Sequence, residues 1–184
     1  MEQIKILFFA LLSFFNIENG RIAANKTTVT IDTIKKTVHI QQEKLFTIVE
    51  TDTDATTVID QWSLFLSLIN KGNLWSKELQ SYPMKEIKIH DKDSIINPLI
   101  TLKYSNPDDL RKLGIWYNES RNDYSINNVP SQNLKTHDGK LKVNYWVFKG
   151  DTTFTFTLEP YLHLPEQYQS LIKPLEELLS EAKK

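Results

Sequence analysis

Residues 114–124 combine aromatic rings with amide and charged side chains in one short stretch. Rings supply contact area, while amides and a guanidinium supply direction, a mixture typical of sites that recognise sugars or proteins. We therefore predict a binding site here, formed by Trp116, Tyr117, Asn118, Arg121 and Tyr124. The alternative is an edge strand whose aromatic residues reach the core, with a polar turn at residues 121–123.

Three acidic residues, Glu50, Asp52 and Asp54, alternate along the chain as calcium-loop ligands do. A calcium loop of the EF-hand type also needs glycine at its sixth position and glutamate at its twelfth. Neither is present, whether the loop is started at Glu50 or at Asp52. We interpret these carboxylates as cap and dipole partners of the helix that follows.

Other motifs that carry chemistry are missing from the sequence. The chain has four histidines at no ligand spacing, no cysteine, and five glycines too scattered to form a phosphate-binding loop. No serine lies between glycines as in a nucleophile elbow. We predict no catalytic residue, no metal site and no cofactor, so an enzyme is not favoured. A hydrolase whose carboxylates or histidines meet only in the fold is left open.

The first 24 residues have the pattern of a secretory signal. Residues 6–15 form an apolar run of about ten residues, whereas a membrane-spanning helix needs roughly twenty. Small residues follow at Ala23 and Ala24, so we expect cleavage after Ala24 and a periplasmic or secreted protein. The alternatives are an uncleaved anchor and a buried helix of a cytosolic fold. Without cysteine, an exported chain has no lipid anchor at its signal and no disulfides.

The remaining chain, residues 25–184, has the length of one ordinary domain. The formal net charge of the whole chain is −1, and no basic run occurs. We therefore expect no nucleic-acid partner and no polybasic contact with membranes. No stretch predicts a stable membrane span.

Hydrophobic periodicity predicts strands in the first half of the domain, followed by a helix pair. Residues 28–32 and 37–41 alternate and are predicted to form a hairpin, and residues 44–50 a third strand with two apolar faces. Helical spacing over residues 55–71 predicts a helix that ends at Gly72. A short second helix is expected at residues 74–81.

Strands dominate the second half of the prediction. Residues 85–90 and 95–104 form two strands joined by a turn at 91–94, and a helical turn starts at Asn106 and Pro107 and ends at Gly114. Residues 115–130 have no clear assignment. Residues 141–148 and 153–158 are expected to form a second hairpin, with its turn at 149–151. A helix begins near Pro165 and should kink at Pro174.

This element order predicts an α+β fold in which an antiparallel sheet carries helices on one face and a C-terminal helix lies across it. The order resembles the helix-grip fold, in which such a helix often covers a hydrophobic cavity. The leading hypothesis is an exported, non-enzymatic binding or interaction protein with an unknown protein or glycan partner. The alternatives are a carrier that holds an apolar small ligand in a cavity under the terminal helix, and the hydrolase mentioned above.

Overall fold

An α+β fold is observed in the computed structural model, which describes residues 8–72, 74–92 and 95–183. The strands are β1 (Ala23–Asp32), β2 (Thr37–Ile48), β3 (Met84–Lys92), β4 (Ile95–Lys103), β5 (Ile115–Asn118), β6 (Asp123–Asn127), β7 (Lys140–Lys142), β8 (Tyr145–Lys149), β9 (Phe154–Leu158) and β10 (Ile172–Pro174). The α-helices are α1 (Asp52–Lys71), α2 (Glu166–Gln169) and α3 (Leu175–Glu181). Short 3₁₀ helices lie at Leu11–Phe14, Lys77–Leu79, Pro107–Leu113 and Pro130–Gln132. The predicted α+β class is confirmed.

The strands form two antiparallel sheets. The larger has the order β3-β4-β2-β1-β9, and β10 joins it by pairing with the end of β2. The smaller has the order β5-β6-β8-β7. In the larger sheet Val29 lies opposite Ile40 and Phe156, and Ile40 lies opposite Ile100. All four side chains are buried, so one face of this sheet forms the core.

Local capping explains why helix α1 forms where it was predicted. Thr51 is its N-cap: the Asp54 N–H donates to Thr51 Oγ1, and the Thr51 N–H donates to Asp54 Oδ2. Gly72 ends the helix with φ of 74°, a left-handed conformation that glycine adopts without a steric penalty. The helix therefore begins three residues earlier than predicted. It buries Val58 and Phe65 against the core.

The third predicted strand, at residues 44–50, is wrong as a separate element. Strand β2 continues through this region to Ile48 and keeps one register with β1 throughout. Lys44 has φ of 55°, and beyond it Leu45, Phe46 and Thr47 are buried in succession. This kink in the strand changes the alternation of buried side chains, which is why the run has the pattern of an independent strand with two apolar faces.

The second predicted hairpin is also wrong. Strand β8 pairs with β6 and β7, whereas β9 pairs with β1 in the other sheet. The expected strand at 141–148 is itself interrupted, because Lys142 pairs with Tyr145 across a turn in which Val143 has φ of 53°. Phe148 and Phe154 stack with ring centroids 4.4 Å apart, so the two sheets pack against each other here.

The continuous C-terminal helix expected from residue 165, kinked at Pro174, is replaced by three short elements. Helix α2 ends at Gln169, and strand β10 then pairs its Ile172–Pro174 with β2. Pro174 stands at the N-cap of α3, where the missing N–H costs no helical hydrogen bond. The long terminal helix of the helix-grip resemblance is therefore not observed in the described residues, although α3 does contact β2.

The smaller predictions have mixed outcomes. The second helix expected at residues 74–81 is reduced to the 3₁₀ turn Lys77–Leu79. The helical turn capped by Asn106 and ended by Gly114 is confirmed, since Asn106 forms a capping box with Asp109. Residues 115–130, left unassigned, contain the β5–β6 hairpin. Residues 93 and 94 of the predicted turn lie outside the described residues.

Residues 8–22 pack into the core of the domain. Gly20 permits a close approach, because a Cβ at this position would lie 2.5 Å from the Cβ of Leu12. The rings of Phe15 and Phe65 are 5.0 Å apart, which brings the segment against helix α1. The buried apolar side chains of the segment are Phe8, Leu11, Leu12, Phe14, Phe15, Ile17 and Ile22.

Backbone hydrogen bonds tie the same segment to distant parts of the chain. The Ala24 N–H donates to the Phe9 carbonyl at 2.7 Å, and the Ser76 N–H donates to the Phe14 carbonyl at 3.0 Å. Cleavage after Ala24 stays a prediction, and it would remove these contacts together with the start of β1. No helix among residues 8–72, 74–92 and 95–183 is long and apolar enough to cross a membrane.

Candidate functional site

An open cleft of about 500 Å³ lies beside the end of strand β2. Phe46 is paired with Ala23 of β1 on one side and with Pro174 of β10 on the other. Strand β1 starts at Ala23, so Thr47 and Ile48 have no β1 partner. The cleft occupies the space that an earlier start of β1 would have filled.

The walls of the cleft are mainly apolar and its rim is charged. Four segments contribute: the N-terminal segment, the end of β2, the start of α1 and the chain after β9. The apolar and aromatic lining residues are Phe9, Ala10, Ile22, Ala23, Phe46, Ile48 and Tyr161. The remaining lining residues are Gly20, Arg21, Thr47, Glu50 and Asp54.

Three rings, those of Phe9, Phe46 and Tyr161, form what we call the aromatic corner. The Tyr161 ring lies 5.6 Å from that of Phe9 at an interplanar angle of 89°, and 5.0 Å from that of Phe46 at 84°. These edge-to-face contacts hold the rings nearly perpendicular, so their faces point in different directions. Burial raises the pKa of the Tyr161 phenol, which therefore stays neutral.

Arg21 and Asp54 form an ion pair at the rim. The Arg21 guanidinium donates to Asp54 Oδ1, while Asp54 Oδ2 accepts the Thr51 N–H at 3.0 Å and the Glu50 N–H at 3.2 Å. The guanidinium and then the Thr51 hydroxyl lower the pKa of Asp54 to about 2. The exposed Glu50 carboxylate has no hydrogen-bond or ion-pair partner among the described residues. Within those residues, the rim therefore carries one negative charge that no cation offsets.

Thr47 places an unpaired polar atom in this otherwise apolar setting. Its side chain is 1% exposed, and its Oγ1 has no hydrogen-bond partner within the described residues. Buried hydroxyls are usually paired, because leaving one unpaired costs roughly 1–3 kcal/mol. This hydroxyl is closed off from solvent and therefore from the cleft, so the cleft can bind an apolar body through its aromatic and aliphatic walls. Over the described ranges, no three histidine, aspartate or glutamate side chains come close enough to hold a metal ion.

The five predicted binding residues lie on two faces of the smaller sheet. Tyr117 and Tyr124 are directly opposite each other on β5 and β6, with ring centroids 4.8 Å apart. Tyr124 is 3% exposed and lies 5.6 Å from Phe154, so it belongs to the core. Trp116 pairs with Ser125 and is the one ring of the three on the outer face of the sheet.

The polar members of the predicted site bond to their own turn. Asn118 Oδ1 accepts the Ser120 hydroxyl at 2.8 Å and the Arg121 N–H at 3.1 Å. Arg121 Nε donates to Asp123 at 3.0 Å, which raises the pKa of the guanidinium. The arrangement matches the alternative considered above, an edge strand with a polar turn. A binding role for these residues stays a prediction.

The residues of the cleft were not among those predicted from the sequence. Treating residues 1–24 as a removable signal excluded Phe9, Arg21 and Ala23 from any folded site. Asp54 was correctly assigned as a cap, but its ion pair with Arg21 joins positions 33 residues apart. Arg21 follows the apolar run of residues 6–15 after five intervening residues, so the sequence offered no local indication of this ion pair.

Comparisons of the chain with protein-family models, curated proteins and solved structures found no match.

Proposed function

We propose that this protein binds a small, largely apolar molecule in the cleft without converting it chemically. The lining of the cleft supports the proposal most, because seven of its twelve described residues are apolar or aromatic. A largely apolar ligand that covers these side chains removes their surface from water, which favours binding. The proposal keeps the carrier hypothesis but moves the ligand from beneath a terminal helix to the end of β2.

The size and composition of the cleft support the same role. Small-ligand sites commonly measure about 300–1,000 Å³ and combine apolar walls with a few orienting polar groups. The cleft measures about 500 Å³ and has apolar and aromatic walls with a charged rim. Two of its charged residues, Arg21 and Asp54, form an ion pair with each other. None of the described lining residues is a histidine or a serine. This favours binding over catalysis.

The proposed binding form retains residues 9–23, because Phe9, Ala10 and residues 20–23 line one side of the cleft. A form cleaved after Ala24 would lack that side. We therefore expect the protein isolated with bound ligand to begin before Phe9, which N-terminal sequencing of the purified sample checks. A ligand-bound sample whose first residue is Asn25 would refute this part of the proposal.

Titration with 1-octanol tests the proposal, since this probe has an apolar chain and one hydroxyl. Binding should shift the amide NMR signals of residues that line the cleft, such as Ala23 and Thr47. Ala23→Trp should fill the cleft and abolish these shifts. Ala182→Trp, at the exposed end of α3, is the matched control and should bind as the unchanged protein does. Equal binding by both variants would contradict the proposal.

Substitution of Thr47 by valine separates a ligand contact from a purely structural role. Valine keeps the shape but removes the unpaired hydroxyl, so the free protein should gain up to about 1 kcal/mol of unfolding free energy. Binding of 1-octanol should be unchanged, because the hydroxyl is not accessible from the cleft. A loss of octanol affinity would show that the ligand reaches Thr47.

A further inference from the structure

We infer that the cleft selects an organic cation, with a quaternary or alkylated ammonium group seated between the aromatic corner and Glu50. The inference rests on the proposed function and adds the chemical class of the ligand. It is drawn from two features of the cleft: the carboxylate that has no partner among the described residues and the perpendicular rings. Each favours the same kind of head group.

The charge at the rim disfavours an anionic head group. Arg21 supplies a positive charge to the described lining, but its guanidinium is already bound to Asp54. An anion that used the remaining Arg21 donors would lie beside the Asp54 and Glu50 carboxylates, which repel it. The Glu50 carboxylate has no ion-pair partner in the described part of the chain, so a cation meets a free counter-charge there.

The aromatic corner provides the second part of the recognition. A cation is attracted to the face of an aromatic ring by the ring quadrupole, and quaternary ammonium groups are commonly bound by several rings set at angles. The rings of Phe9 and Tyr161, both only partly buried, meet at 89°, while the buried Phe46 ring supports Tyr161 at 84°. Alkyl groups on the nitrogen also suit this apolar surface, whereas a strongly hydrated primary ammonium would lose more solvation.

The size and walls of the cleft limit the rest of the ligand. The volume of about 500 Å³ accommodates an ammonium head with a short alkyl portion. The apolar lining residues suit that alkyl portion.

The test compares probes with the same alkyl chain and different heads: octyltrimethylammonium, 1-octanol and octanoate, each titrated below its micelle concentration. We expect the cation to bind about tenfold tighter than 1-octanol, and octanoate to bind most weakly. Glu50→Gln should reduce the preference to about threefold, leaving the aromatic contribution, and Tyr161→Leu should lower it further. Glu166→Gln, an exposed carboxylate of α2 outside the cleft, is the control and should leave the preference unchanged.

The outcomes separate the inference from the proposed function. If 1-octanol binds as tightly as the cation, or octanoate binds best, the inference is overturned while the binding function stands. A cation preference that Glu50→Gln leaves intact also overturns it, because the counter-charge then lies elsewhere. If none of the three probes perturbs the amide signals of the cleft, the proposed function itself fails. Far-ultraviolet circular dichroism of each variant checks that it is folded.

Discussion

Asp54 shows how one carboxylate serves both a helix and a site. Its Oδ2 accepts the N–H groups at the start of α1, and its Oδ1 binds the Arg21 guanidinium that borders the cleft. The cap is a local feature that any helix start can provide. The ion pair exists only because residues 8–22 fold back onto the domain. The same residue therefore links the helix to the N-terminal segment.

Titration of Asp54 makes stability depend on pH in the acid range. Its pKa is lowered to about 2 in the fold, against about 3.9 for an unfolded chain. The stabilisation is therefore complete above about pH 4 and is lost as the pH falls towards about 2. Urea unfolding between these values should show a steeper loss for the unchanged protein than for Asp54→Asn. Asp60→Asn, an exposed position on α1, should keep the steep loss; a slope unaffected by Asp54→Asn would disprove this assignment.

The rings of the predicted aromatic site should differ sharply in their effect on stability. Tyr124→Ala removes a side chain that is 3% exposed and should cost about 3 kcal/mol or more in unfolding free energy. Trp116→Ala changes the outer face of the sheet and should cost about 1 kcal/mol or less. Thermal or urea unfolding measures both. Similar losses for the two variants would mean that Trp116 is also a core residue.

For the predicted aromatic site, the sequence did not determine which side chains of the strand face the core. Trp116 and Tyr117 are adjacent, so a pleated strand must send them to opposite faces. Which of the two faces inward depends on the pairing of Tyr117 with Tyr124, a contact across a turn. The sequence therefore showed that the aromatic residues share one segment, but it could not show whether they share one surface.

At the scale of elements, the apolar N-terminal run behaves as an integral part of the core. Leu12 is 1% exposed, whereas Leu64 on α1 is 48% exposed. Leu12→Ala in the full chain should therefore cost about 2–5 kcal/mol, and the matched Leu64→Ala about 0.5 kcal/mol. Urea unfolding gives both values. Equal, small losses would show that residues 8–22 do not contribute to the folded domain.

Elements bounded by local signals were predictable, and elements that depend on distant partners were not. The cap at Thr51 and the left-handed Gly72 act within a few residues of helix α1, so its position could be inferred. Strands β8 and β9 were both predicted from the pattern of their side chains, yet this pattern does not determine which strand each of them pairs with. Strand β8 lies in the smaller sheet and β9 in the larger one. In addition, Val143 in the turn before β8 has a positive φ, which is uncommon for a β-branched residue.

Pro174 illustrates a second limit of structure prediction from the sequence. A proline within a helical pattern either kinks the helix or ends it, and both outcomes agree with the local sequence. Pairing of Ile172–Pro174 with the end of β2 decides between them here. The terminal helix is shortened because a strand edge 120 or more residues earlier in the chain was available to pair.

The whole molecule is held together by the contact between its two sheets. Phe148 of the smaller sheet and Phe154 of the larger sheet stack at 4.4 Å with an interplanar angle of 20°. A double-mutant cycle of Phe148→Leu and Phe154→Leu should therefore give a coupling energy of about 0.5–1.5 kcal/mol. Phe148→Leu combined with Phe65→Leu should be additive, since the Phe65 ring contacts Phe15 and Trp62 instead. No coupling in the first cycle would show that the sheets do not depend on this contact.

The hydrogen bond from the Ser76 N–H to the Phe14 carbonyl also affects the order of events while the chain is being synthesised. The partners are separated by some sixty residues, and a ribosome adds about 5–20 residues per second, so Phe14 waits roughly 3–12 s for Ser76 to be synthesised. During that interval the native partner of Phe14 does not yet exist, so the apolar run cannot be enclosed as it is in the folded domain. The rate of translation between residues 14 and 76 thus sets the earliest moment at which the run is enclosed.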